Sequence, residues 1–305
     1  MLEPVIADGA PAQLGTPFSL YDCWEQKVFE WTPIAHIDWF EAVKANLPKP
    51  SYEWYPCIIG QGPFVVMDRD QFAVSVDAEQ QRLISLQSLL LLDDRTSNRN
   101  SYEFNEALLL KLVGGNRRRI IEIYDYSIDE DDDNACHRKG TMQTILEACG
   151  MKGRILNALD LPNPTRTLAN DSLGLASCFK TWCSIYKPPF MDVKAAYPSV
   201  SLAWFLVALA GAFTYWHLDS NGLLTRIRVL TGKRLWIIAE YEDLKLSDID
   251  LFTQDDYSNF GMNTKILKLH PIVLTPGMEF VMRPGVLHMV ITLEDSLLHY
   301  LSWLC

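Results

Sequence analysis

The chain lacks the cysteine spacing of a zinc site. Cys23, Cys57, Cys136, Cys149, Cys178, Cys183 and Cys305 include no C-x-x-C pair, and their number is odd. They read as reduced packing thiols of an intracellular protein rather than as a metal knuckle or a disulfide framework. Positive charge is also short: 27 Lys and Arg stand against 38 Asp and Glu, for a formal net charge of -11. A nucleic-acid-binding surface would need a basic patch, and none is legible. The acidity suits a basic protein or peptide partner, as it does many plain enzymes. Arg117-Arg118-Arg119 is too slight for an import signal, so nucleus and cytoplasm both stay open.

No apolar run reaches the roughly 20 residues of a membrane span. The stretch that invites the reading, Leu202–Phe213 (LAWFLVALAGAF), is shorter and runs straight into TYWHLD, so it is expected in the core. The opening MLEPVIADGAPAQLG has neither a basic region nor an apolar core, which argues against a secretory leader. What the chain does have is 49% hydrophobic and 21% charged residues, enough for a real core.

Local signals divide the chain. Residues 1–20 are rich in Pro, Gly and Ala and read as a loose arm. Residues 21–195 read as mainly helical with a few strands. Asp38 and Glu41 form a capping-box pattern before WFEAVKANL. Short aromatic and β-branched runs within 52–76 predict strands, and Leu spacing predicts helices over 78–93 and 101–113. Five consecutive acids at 129–133 predict a solvated loop, with calcium or basic-peptide binding as the sharper alternative. Thr141–Cys149 predicts a short helix. From about 211 to the end the period turns to two, within an expected barrel core over 196–305: Thr225, Ile227 and Val229 alternate with Arg226 and Arg228, and RLWIIAEY, ILKLHPIVL, MEFVMRP, VLHMVITL and SLLHYLSWL follow. The expected fold is α+β, a mainly helical N-terminal half wrapped on a C-terminal jelly-roll barrel.

Two His-x-Asp pairs occur, His36-Ile37-Asp38 and His217-Leu218-Asp219. Chance alone gives about 0.7 His-x-acid pairs, so context must decide. Asp38 has a structural task as a helix cap. His217 and Asp219 belong to the strand region, where residues i and i+2 point the same way and can meet one ion. Gly211 precedes His217 by six positions. Downstream, PGMEFVMRPGVLH carries a strand, the Pro284-Gly285 turn and His288. Two imidazoles and a carboxylate on one side of a metal leave the other positions open, the donor set of non-haem iron oxygenases. His270 and His299 compete with His288 for the third place.

The segments GAFTYWHLD and PGMEFVMRPGVLH resemble the two cupin motifs. The whole stretch GAFTYWHLDSNGLLTRIRVLTGKRLW resembles the JmjC-like iron(II)- and 2-oxoglutarate-dependent oxygenases. The resemblance implies a double-stranded β-helix core with His217, Asp219 and His288 as metal ligands. It further implies that Thr214 and Lys233 hold the distal carboxylate of 2-oxoglutarate, and Trp236 matches an aromatic that commonly follows the Lys. Thr214 lies three residues from His217, so a bulge must bring both to one face. Relatives that use an Arg about ten residues after the last His would need it at Leu298, so the Lys version is preferred. Asn221 and Trp216 are further candidates for the pocket wall, with a core role as the alternative for Trp216. The implied chemistry consumes molecular oxygen and hydroxylates a protein side chain, or demethylates an N-methyl-lysine by hydroxylating its methyl group. The rival readings are an inactive JmjC-fold binding module, a cupin metalloenzyme without 2-oxoglutarate and a purely structural interaction protein.

Overall fold

A computed structural model describes residues 62–92, 102–128, 137–151, 153–162, 203–219, 224–241 and 267–303. The Asp38 cap, the acidic run and Asn221 lie outside these residues.

Among the described residues strands dominate. They run β1 (Phe64–Asp68), β2 (Ser88–Leu92), β3 (Ile120–Asp125), β4 (His137–Thr141), β5 (Leu156–Pro162), β6 (Ala203–Ala208), β7 (Phe213–His217), β8 (Leu224–Tyr241), β9 (Leu267–Leu274), β10 (Met278–Met282) and β11 (His288–Trp303). The helices are α1 (Arg69–Val74), α2 (Asp77–Leu86), α3 (Glu106–Leu112) and α4 (Met142–Ala148). Asp68, Asn105 and Thr141 cap α1, α3 and α4 with side-chain oxygens that accept from the first-turn backbone. No helix among the described residues is long and apolar enough to cross a membrane.

The expectation of a mainly helical N-terminal half is corrected here: in the described part of that half, short helices alternate with five strands. The helix expected over 78–93 stops at Leu86, where Gln87 turns extended (φ -161°), and Ser88–Leu92 continues as β2. Four successive leucines, Leu89–Leu92, carry no period, so their spacing was equally open to helix or strand. Parallel pairing of β1 with β2 explains the burial of β2 on both faces: α1 and α2 form the crossover and cover one face. Thr141–Cys149 is borne out as α4, with Thr141 and Thr144 forming a reciprocal cap.

The strands join in one sheet in the order β1-β2-β10-β8-β11-β6-β5-β3-β4, with β7 added to β11 and β9 to β8. Its spine is the antiparallel pair β8 and β11. Each of these long strands changes its outer neighbour along its length. The first half of β8 pairs with β10 and the second with β9. The first part of β11 pairs with β7 and the rest with β6. Register shifts between Thr292 and Leu298 mark the bend, and Gly232 (φ +78°) sits opposite them. The result is a β-rich, barrel-like fold. Its largest buried cluster includes Phe213, Trp216, Trp236, Phe280 and Leu298. The apolar stretch from 203 to 213 is core, as expected: it forms β6 and the turn into β7.

Candidate metal centre

His217 closes β7 and His288 opens β11, and the two are direct cross-strand partners. Pairing sets their rings side by side, with centroids 4.2 Å apart. The Pro284-Gly285 turn feeds His288 into β11, Gly285 taking a positive φ of 73°. Asp219 follows His217 by two residues, and its Oδ1 lies 3.8 Å from Nε2 of both histidines. One ligand atom from each residue falls within 4.8 Å of the others, close enough to hold a metal ion. No other such group of three occurs among the described residues.

The outward nitrogens fix which atoms would bind. His217 Nδ1 lies 2.7 Å from the Tyr215 carbonyl, and His288 Nδ1 lies 3.0 Å from the Val286 carbonyl. A carbonyl only accepts, so each Nδ1 carries the proton and each Nε2 presents a lone pair to the shared point. His288 is buried at 2% exposure, while His217 and Asp219 are part-open. Burial, then the neighbouring His288, push His217 down to about 4 against the pull of Asp219. His217 is therefore neutral at physiological pH, the form that metal binding needs.

His270 and His299 are not brought to this point. His270 stands in the same cross-strand row, but beyond Ile238, and its Nε2 pairs with Glu240 at 2.8 Å. His299 tilts against Phe205, ring centroids 4.9 Å apart. Trp216 lies in the core at 2% exposure, in accord with its core alternative.

Thr214 and Lys233 part company. Thr214 pairs with Val290 while His217 pairs with His288, so β7 spends three residues where β11 spends two. That bulge gives Thr214 the same face as His217, as the spacing required. Across β11 and β8 the rows His288–Ile238, Val290–Trp236 and Thr292–Arg234 share this face. Lys233 falls between rows and points the other way. Its Nζ binds Glu294 Oε1 at 2.7 Å, with part of both side chains in solvent.

Arg234 is a buried cation on the face that carries the triad, and the sequence reading passed over it. The available signal was parity: on a strand Arg234 shares the face of Trp236 and Lys233 does not. Arg234 is 1% exposed and its Nε donates to Ser296 Oγ at 2.8 Å. One terminal nitrogen is buried with no partner, as is the indole nitrogen of Trp236. Burial pushes the guanidinium down to about 10, opposed by Tyr300 and Tyr126. Burial likewise raises the Tyr300 phenol, which feels Arg234 on one side and Asp219 on the other. The Trp236 ring lies 6.0 Å from that of His288 and 6.4 Å from that of Tyr300. The barrel interior thus runs from the triad past Trp236 and Tyr300 to Arg234.

No protein-family model matches the chain, and no curated protein matches it significantly.

Proposed function

We propose that this protein is an iron(II)- and 2-oxoglutarate-dependent oxygenase that hydroxylates a protein or peptide side chain, or demethylates one by hydroxylation. The observation that carries the reading is the convergence of His217 Nε2, His288 Nε2 and Asp219 Oδ1, with both Nδ1 atoms tied to backbone carbonyls. Two neutral imidazoles and one carboxylate on neighbouring strands are the donor set of a facial iron site. The donor set also fits a metal that binds only water and substrate, as zinc does.

When bound, iron(II) and 2-oxoglutarate would supply oxygen activation coupled to oxidative decarboxylation. The protein's own contribution is positional. His217, Asp219 and His288 would hold the metal, and the backbone carbonyls of Tyr215 and Val286 keep the two rings in the ligating tautomer. The interior face offers the remaining needs of a dicarboxylate, a hydroxyl in Thr214 and a cation in Arg234. The acidic surface charge suits a basic peptide as substrate.

The Lys233–Glu294 pair favours a second reading, a metalloenzyme of similar fold that makes no use of 2-oxoglutarate, because it gives Lys233 a structural task. One experiment separates the two. Iron(II) and then 2-oxoglutarate are added to the purified protein without oxygen, and the weak visible charge-transfer band of the chelate is sought, with His217→Ala alongside. A band in the wild type that disappears in the variant is expected. A folded, metal-loaded protein without the band supports the second reading, and absence of metal binding supports a binding module.

A further inference from the structure

We propose that the outer edge of β4 is a docking site for an acidic, extended segment of a partner protein, which joins the sheet there as an added strand. The inference is independent of the metal centre.

The case begins with the backbone. β4 ends the sheet, and among the described residues only β3 pairs with it. Alternate residues of an edge strand turn their N–H and C=O groups outward, a template for one more strand. Thr141 closes that template at one end, since its N–H donates to the Thr144 hydroxyl at the start of α4. The strand itself is firmly held. Arg138 reaches back to the fully buried carboxylate of Asp125, which Arg154 also meets. Gly140 lies so close to Ile123 that an added Cβ would fall 2.3 Å from its Cδ1. His137 stacks on Tyr124, with ring centroids 4.7 Å apart. A fixed edge spares an incoming segment the entropy of ordering both partners.

Side chains decide what can use the edge. His137 and Lys139 share one face of β4, opposite Tyr124 and Glu122 of β3. His137 Nε2 lies 3.5 Å from Glu122, while exposed Lys139 forms no ion pair among the described residues. Beyond Thr141, Gln143 N–H donates to the Arg117 carbonyl, which brings the Arg117–Arg119 turn beside the end of β4. Arg117 pairs with Glu106, but Arg118 and Arg119 meet no carboxylate among the described residues. Three uncompensated cations thus gather at this edge of a chain whose formal net charge is -11. A second copy pairing antiparallel along β4 would set His137, Arg138 and Lys139 against the same three residues. Like charges directly opposite one another destabilise a strand pair, and natural edges use them against self-association. An apolar strand would cover Lys139 without a counter-charge. A strand with Asp or Glu at alternate positions uses the outward backbone groups and also answers the cations, so the charges that repel a second copy select this partner.

The probe is a fluorescently labelled heptapeptide of alternating Glu and Val, titrated into the full-length chain and followed by anisotropy, with hydrogen exchange of the β4 amides measured alongside. Saturable binding and slowed exchange in β4 are expected. The same peptide with Lys in place of Glu should not bind, and N-methylation of the Glu peptide should abolish binding, because an added strand needs its N–H groups. Lys139→Glu should weaken the Glu peptide about two- to tenfold, as a favourable cross-strand pair becomes a repulsive one, and should bring on binding of the Lys peptide. Arg118→Glu lies outside the strand, should cause a smaller loss in the same direction, and keeps the test valid if a change in β4 disturbs folding. No binding of the Glu peptide, equal binding of the Glu and Lys peptides, or undiminished binding after N-methylation would each overturn the proposal, the last by showing attraction of charge without strand pairing. A dimer in sedimentation that Lys139→Pro breaks would overturn it in favour of a second copy at this edge.

Discussion

Replacing Gly232 by alanine probes the bend that holds the interior face together. Gly232 has φ +78°, and an added Cβ would lie 2.2 Å from the Asp295 carbonyl oxygen and 2.7 Å from both Cα and Cβ of Ser296. The backbone conformation alone disfavours a side chain by roughly 1–2 kcal/mol. The contact adds about 1–3 kcal/mol, because the obstacle is β11 backbone and not the flexible end of a side chain. Gly150, just beyond α4, is the matched control: its φ is +76° and nothing lies within 4 Å of the new Cβ. Gly150→Ala should therefore show only the first effect, and Gly232→Ala both. The difference in unfolding midpoint should be about 2–12 °C, at roughly 2–4 °C per kcal/mol for a domain of a few hundred residues. Denaturant and thermal unfolding of the two variants measure it. Displacement of Ser296 also disturbs the hydroxyl that holds Arg234 Nε. Equal destabilisation by the two substitutions would refute the reasoning, since it would mean that β11 yields freely at the bend.

Two further outcomes concern the metal centre. Divalent cobalt or iron at about a hundred times its dissociation constant should stabilise the wild type by roughly 2.7 kcal/mol, and His217→Ala should abolish most of that gain; a chelator-reversible shift of equal size in the variant would place the metal elsewhere. The metal-free protein should also lose stability in acid through His217. Its folded value is about 4 against an ordinary 6.5, so between these values the unfolded chain binds more protons. This contribution is whole above about pH 6.5, declines as pH falls toward 4, and stops changing below both values. Denaturant midpoints across this window should fall less steeply in His217→Ala than in the wild type, and parallel slopes would contradict the assignment.

Much of the barrel was readable because a half-buried strand writes its period into the residues. Thr225, Ile227 and Val229 lie in β8 as the alternation required, and His217-Leu218-Asp219 had to deliver both ligands to one side. The bulge demanded by the spacing of Thr214 and His217 is present in β7. Elsewhere local pattern was insufficient. Leu89–Leu92 is a run of four leucines without a period, and only pairing with β1 and β10 makes it a strand.

The sequence by itself determined that β-strands fill the C-terminal region and that His217 and Asp219 share a face, since both follow from a period of two. Tertiary structure decided which distant histidine completes the group: His288, His270 and His299 all lie on strands, and pairing across β7 and β11 puts His288 alone beside His217. It also decided between Lys233 and Arg234. Adjacent cations look alike in a sequence, but the pleat sends one outward to Glu294 and buries the other beside Trp236, because a single-residue step reverses the face.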